Sequence, residues 1–224
     1  MFRNYRIRRA HARFLESCRN LSADQRYWAK AGRFRRWLIE AFIPVPVMGL
    51  HEDGEAIWEA LQHLEADCRS TPLGEGEILR YHETVLRKIR PEEAGRYRRH
   101  ELRMSANPLK PPAPQKISAL MSALHATLKD VQREFDRAYP ADPSAVLRAA
   151  VETYHRIGVI HPFQDGNGRV ARLAMNHLLR RYQLGYVIYP PLSHCPPLWQ
   201  ALLQAGNGVL DPLMDIARAC WHKV

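Results

Sequence analysis

Apolar residues along this chain recur mostly at steps of three and four, the period of one face of an α-helix. Residues 6–18 and 22–42 carry that spacing, with Phe34, Leu38 and Phe42 on one face until Pro44 and Pro46 end the run. Over 53–68, Ile57, Leu61 and Leu64 form the stripe of another amphipathic helix. The segment "RSTPLGEG" breaks the pattern, and "EILRYHETVLRKI" resumes it with Ile78, Leu79, His82, Val85, Leu86 and Ile89 in register. Residues 95–117 differ in character. Alternation around "HELRM" predicts a short strand, and the prolines that follow exclude a helix, so this segment reads as a small hairpin and an extended stretch. Helix returns over 117–137, where Ile117, Leu120, Met121, Leu124, Leu128 and Val131 line one side. Asp142 and Pro143 then have the character of an N-cap and a first-turn proline, opening a helix with Val146, Ala149, Ala150, Thr153 and Ile157 facing the core. A tight turn and the helix "GRVARLAMNHLLRRY" come next, and two more helices, broken at Gly206 and Gly208, close the chain. The pattern predicts a mostly α protein, with a helical core, one short hairpin and N-terminal helices. It divides into a helical extension over 1–69 and a main domain over 70–224.

Composition narrows the class only a little. At 224 residues, 46% hydrophobic and 25% charged, the chain has an ordinary globular balance and enough length to bury a core without crosslinks. Cys18, Cys68, Cys195 and Cys220 are scattered without a CxxC pair, which fits reduced thiols in a cytoplasmic protein better than a zinc site or a disulfide framework. No signal peptide is expected at the basic start. The most apolar stretch, "LIEAFIPVPVMGL", is short and holds two prolines, so no membrane span or membrane partner is expected. Charge changes the picture more. The net value is +10, and ten arginines fall within the first 36 residues against only Glu16 and Asp24. Such a stripe can bind phosphate backbones, so a nucleic-acid contact stands beside the simpler reading of solvated helix faces.

The candidate chemistry concentrates in residues 159–173, "VIHPFQDGNGRVARL". Gly166-Asn167-Gly168 is a turn feeding directly into a helix, where successive N–H groups and the helix dipole make a concave anion site. Arg169 and Arg172, three apart, add two guanidiniums that can hold nucleotide phosphates. Asp165 would repel a phosphate by itself, and makes sense if Mg²⁺ bridges carboxylate and phosphates. His161 can act as general base toward an incoming hydroxyl. These parts fit phosphoryl or nucleotidyl transfer.

"HPFQDGNGRVAR" resembles the active-site signature of Fic proteins, with every fixed position present. "AGRYRRHELRM" with "PPAPQKISALMSAL" resembles that family's β-hairpin flap and following helix, and the likeness extends over roughly residues 70–215. The resemblance implies the Fic fold for a catalytic domain over 70–224, and a transferase that places AMP from ATP, with Mg²⁺, on a Ser, Thr or Tyr hydroxyl of a target protein. It implies that His161 deprotonates the hydroxyl and that Asp165 holds Mg²⁺. Gly166, Asn167 and Gly168 would cradle the phosphates, with Arg169 helping and Arg172 taking the γ-phosphate. Leu102, Arg103 and Met104 would pair with the target segment as an added strand. Leu203 and Asn207 would border the adenine, where core packing and a turn serve equally well as explanations.

"TPLGEG" resembles the family's inhibitory motif, with Thr71, Glu75 and Gly76 at its fixed positions. The resemblance implies that Glu75 pairs with Arg172 and blocks the productive pose of ATP. Thr71 would cap a short inhibitory helix with Pro72 in its first turn, which Gly74 would weaken. Alternatives stay open: transfer of UMP, phosphocholine or phosphate, removal of AMP, or nucleic-acid binding through the arginine-rich start. Phosphorylating Doc relatives usually carry lysine in place of Gly168, so the intact glycine argues against that branch. Self-modification and a homodimer that buries the inhibitory regions are further expectations.

Overall fold

The computed structural model describes residues 50–102, 111–189 and 195–222. The expected helices over 6–18 and 22–42, the arginine-rich start, Arg103 and Met104 lie outside them. The described residues form seven α-helices and one two-stranded ladder. The helices are α1 (Leu50–Asp67), α2 (Glu75–Leu86), α3 (Ile117–Arg137), α4 (Pro143–Ile160), α5 (Asn167–Arg181), α6 (Pro196–Gly206) and α7 (Asp211–Ala219), with one 3₁₀ turn at Pro114–Lys116. The mostly helical class read from the sequence holds.

Helix α5 is the axis of the molecule. From Asn167 to Leu179 every residue except Gly168 is buried, including Arg169, Arg172, Asn176 and His177. A helix buried around its circumference must be enclosed by others, and α1, α2 and α4 pack against it. The amphipathic neighbours supply the apolar shell: Ile57, Leu61 and Leu64 from α1, Ile78 and Val85 from α2, and Val146, Ala150 and Ile157 from α4 share one core with Val170, Leu173 and Leu178. Truncating one such leucine to alanine costs about 2–5 kcal/mol.

Polar side chains buried in this shell act as stitches. Asn176, fully buried, accepts from the Val187 N–H at 2.8 Å and donates to its carbonyl at 3.0 Å, fixing the strand β1 (Tyr186–Val187) to α5. That strand pairs antiparallel with β2 (Trp221–His222), register Tyr186 to His222 and Val187 to Trp221. Arg180 of α5 makes a bidentate ion pair with Glu65 of α1, both contacts at 2.9 Å. Asp142 caps α4 as expected, accepting from Ser144 and Ala145 N–H groups at 3.2 Å, with Pro143 in the first turn. On α3 the stripe runs through Ile117, Met121, Leu124 and Leu128 and continues to Gln132. Leu120 lies 36% exposed, and Val131 is only half-buried.

Two local expectations change. Residues 95–102 form no strand, and the rest of the expected hairpin lies outside the described residues; Arg98 N–H donates to the Pro162 carbonyl at 2.9 Å. Thr71 does not cap a helix. The first helical residue is Glu75, with Gly74 in an extended N-cap conformation lacking a side-chain cap. The preceding residues are held otherwise. Leu73 is buried and exchanges two hydrogen bonds with the Gln132 amide, at 2.8 and 2.9 Å, while His177 Nε2 donates to the Thr71 carbonyl at 2.9 Å. With backbone partners on neighbouring helices, the segment has no need of the short helix its sequence allowed.

Candidate active site

The site lies where α4 ends and α5 begins. His161 terminates α4 in the left-handed region, φ 49°, and its N–H still closes the last turn on the Ile157 carbonyl. Its Nδ1 lies 3.1 Å from the Gly158 carbonyl. A carbonyl only accepts, so Nδ1 carries the proton and Nε2 keeps its lone pair. Burial pulls the imidazole pKa below its ordinary value; the Gly158 carbonyl pushes the other way and does not cancel it. His161 is therefore neutral at pH 7, with Nε2 as its basic nitrogen. The Arg98 Nε donates to the His161 carbonyl at 2.8 Å, which fixes the main chain at this position.

Between His161 and α5 the loop is closed by its own side chains. The Asn167 amide oxygen accepts from Phe163 N–H and its NH₂ donates to the Phe163 carbonyl, both at 2.9 Å, in a buried ring of two hydrogen bonds. Phe163 is fully buried and stacks on His82, centroids 3.8 Å apart and planes 9° from parallel. Gly166 takes φ 77°, a conformation that favours glycine, and N-caps α5 without any side-chain cap. The first-turn N–H groups of α5 have no carbonyl within the helix to bind. N–H groups so placed at a helix N-terminus can hold an anion.

Charges are placed around that terminus. Asp165 accepts at Oδ1 from Gly166 N–H at 2.5 Å and from Arg169 at 3.3 Å, with its side chain 45% exposed beside an arginine that is nearly buried. Arg172 is 2% exposed. Burial lifts the Tyr154 phenol above its usual pKa, and a hydrogen bond from Arg172 works against that rise. Two buried, positively charged arginines next to uncapped N–H groups form a field that favours a polyanion.

The structure thus brings His161, Asp165, Gly166, Asn167, Gly168, Arg169 and Arg172 into one turn and the helix it opens. Glu75 lies elsewhere. Where the resemblance implies Arg172 as its partner, the structure gives it Tyr97, whose hydroxyl donates to its carboxylate at 3.0 Å. Glu75 is exposed at the start of α2, whereas Arg172 lies in the core. Gly76 follows it in the first turn, exposed. The Tyr97 hydroxyl also lies 3.3 Å from His125 Nε2, and its ring rests 5.6 Å from Phe163. Of the remaining candidates, Leu102 is half-buried in irregular chain, Leu203 is half-buried on α6, and Asn207 is exposed just after it. Sequence reading missed four participants: His82, Tyr97, Arg98 and Tyr154. Of these only His82 left a signal, since a histidine within a buried stripe needs partners for both ring nitrogens.

Comparison with known proteins agrees with the geometry. The model of the Fic/DOC family matches residues 72–179. The protein adenylyltransferase Fic of Nematostella vectensis is 29% identical over 192 residues, 84% of this chain and 42% of that protein. The one of Aedes aegypti is 31% identical over 151 residues, 66% of this chain and 27% of that protein. The chain therefore spans less than half the length of these curated relatives. A solved structure of Fic-1 from C. elegans superposes with a TM-score of 0.67 over 95% of this chain and 67% of that one, at 20% identity, a likeness of fold.

Proposed function

Because the chain belongs to the Fic/DOC family through residues 72–179, we propose that it transfers AMP from ATP to a Ser, Thr or Tyr hydroxyl of a target protein. The observation that carries this reading is a neutral His161, with Nε2 as its basic nitrogen, standing one short loop before the uncapped N-terminus of α5. His161 Nε2 takes the hydroxyl proton as the oxygen attacks the α-phosphorus. The bond to the bridging oxygen breaks, pyrophosphate leaves, and the protein–O–AMP ester remains. The Gly166-Asn167-Gly168 turn cradles the phosphates through the N–H groups of Asn167 and Gly168, with the Gly166 N–H held by the Asp165 carboxylate, and Arg169 adds charge. Arg172 takes the γ-phosphate. Asn167 contributes chiefly through its side chain, which keeps the loop closed on Phe163.

Among the described residues no cluster of three His, Cys, Asp or Glu side chains is placed to enclose a metal. The site suits an ion bound by one carboxylate and the substrate's own phosphates, the habit of Mg²⁺, and Asp165 is the half-exposed carboxylate in position. Bound there, Mg²⁺ would neutralise phosphate charge and orient the departing pyrophosphate.

The proposal extends to regulation, targets and organisation. Residues 70–224 act as the catalytic domain, with 1–69 as a helical extension. Glu75, at the first position of α2, restrains ATP binding in competition with its tie to Tyr97. Leu102 and the residues after it present the target segment, and Leu203 and Asn207 border the base. Self-modification and a homodimer belong to the same reading. A cytoplasmic setting is supported by Cys68, Cys195 and Cys220, which are free thiols. No helix of the described residues is long and apolar enough to cross a membrane.

Labelled ATP tests the reaction. Glu75→Gly protein with Mg²⁺ should incorporate label from α-labelled ATP into itself or an added target, and none from γ-labelled ATP. Incorporation of the γ-label would mean phosphate transfer and overturn the proposal.

A further inference from the structure

We propose that His82 is a positioning residue for the nucleotide: its ring sets the direction of the Asp165–Gly166 peptide, and with it the anion-binding face of the loop. The inference rests on the loop being the ATP cradle, and assigns to α2 a part in building it.

His82 lies two turns into α2 and is fully buried. Its ring nitrogens have different partners. Gly95 N–H, which can only donate, lies 3.0 Å from Nδ1, so Nδ1 accepts. The proton therefore sits on Nε2, which donates to the Asp165 carbonyl at 3.2 Å. The ring face covers Phe163, and its Cδ2 stands 3.4 Å from where a Cβ on Gly166 would be. One imidazole thus touches the loop at Phe163, Asp165 and Gly166.

The consequence follows from peptide planarity. In a trans peptide the carbonyl and the following N–H point in opposite directions. Holding the Asp165 carbonyl against His82 turns the Gly166 N–H the other way, where it meets the Asp165 carboxylate. A rotation of that peptide would swing a carbonyl oxygen toward the cradle and set its negative end against the phosphates. Gly166, at φ 77°, resists such rotation poorly by itself, since glycine adopts both hands of backbone. A fixed donor outside the loop removes that freedom.

Two substitutions separate this role from packing. His82→Phe keeps the aromatic stack on Phe163 but has no N–H to offer Asp165. His82→Gln loses the stack and keeps a donor of similar reach. Calorimetric titration of the full chain, carrying Glu75→Gly throughout, with ATP and Mg²⁺, alongside thermal melts and kinetics of label transfer, reads the difference. An unsatisfied buried carbonyl costs enough to weaken affinity about tenfold. His82→Phe is expected to raise the Kd and KM for ATP by about that factor, with kcat within about threefold of the Glu75→Gly chain. His82→Gln should recover most of the affinity even if it melts lower. ATP affinity that follows melting temperature across the variants, or that is unchanged in folded His82→Phe, would overturn the positioning role alone. Failure of the Glu75→Gly chain with His82 intact to bind ATP would overturn the AMP-transfer reading, and this inference with it.

Discussion

The loop from His161 to Arg172 carries the Fic signature and the segment from Thr71 to Gly76 resembles the family's inhibitory motif, yet they are built in opposite ways. In the first, key side chains have partners that restrict them: Asn167 closes on Phe163, Asp165 is fixed through both its main chain and its carboxylate, and His161 is tied through Nδ1 and its carbonyl. In the second, restraint stops at Leu73. Thr71 and Leu73 are bound by His177 and Gln132, whereas Glu75 begins an uncapped helix with a single phenol on its carboxylate. Catalysis by electrostatic preorganisation requires groups that need not move when charge develops. The inhibitory role proposed for Glu75 requires a group that its ligand can displace, and one hydrogen bond of about 1 kcal/mol suits that role.

The rigid region should give the largest effects. His161→Ala removes the proposed base, and label transfer in the Glu75→Gly background should fall by about three orders of magnitude, with ATP binding retained within a few-fold. Retained transfer would mean that another group takes the proton. Next, Asn167→Ala opens the buried ring with Phe163 and leaves the Phe163 N–H and carbonyl unpaired. A loss of about 2–4 kcal/mol by denaturant titration is expected, together with weakened ATP binding. An unchanged Kd for ATP would show that the loop does not depend on that clasp.

Acid should loosen both regions through two buried histidines. Burial drives His82 and His177 down to about 4 from an ordinary 6.5, against carbonyl hydrogen bonds that push the other way. A group with a depressed folded pKa takes up a proton on unfolding between its folded and unfolded values. Stability is therefore complete above pH 6.5 and declines as pH falls from there toward 4. Thermal melts across that window should show a falling Tm, and substituting His177 should flatten the slope. A Tm that stays level from 6.5 to 4 would contradict the buried neutral assignment.

The smallest effect belongs to the restraint proposed for Glu75. Tyr97→Phe deletes the phenol that holds Glu75, freeing the carboxylate for Arg172. The account expects roughly fivefold less label transfer, the weight of one hydrogen bond, and no difference once Glu75→Gly is also present. An increase in transfer on Tyr97→Phe would mean that the phenol holds Glu75 in its inhibitory stance.

How much the sequence reveals follows the same division. The helical core was legible because its signals are local: apolar stripes at helical spacing, and the Asp142-Pro143 start of α4. The candidate loop was legible because its base, glycines and arginines fall within a dozen consecutive residues. What stayed hidden depends on long-range contacts. Arg98 meets the His161 carbonyl across 63 positions, and His82 meets Asp165 across 83. No periodicity encodes such pairs. The tie between Glu75 and Tyr97 stayed hidden for the same reason, since Tyr97 reaches Glu75 from an irregular stretch whose path follows from the packing around Pro162.

The most direct test is a crystal of the Glu75→Gly chain soaked with a non-hydrolysable ATP analogue and Mg²⁺. The account requires phosphate oxygens within hydrogen-bond distance of the main-chain N–H groups at the start of α5, and His161 Nε2 facing the α-phosphorus with room for a hydroxyl between them. Triphosphate density on any other surface, or an imidazole whose Nε2 points away from the nucleotide, would contradict it.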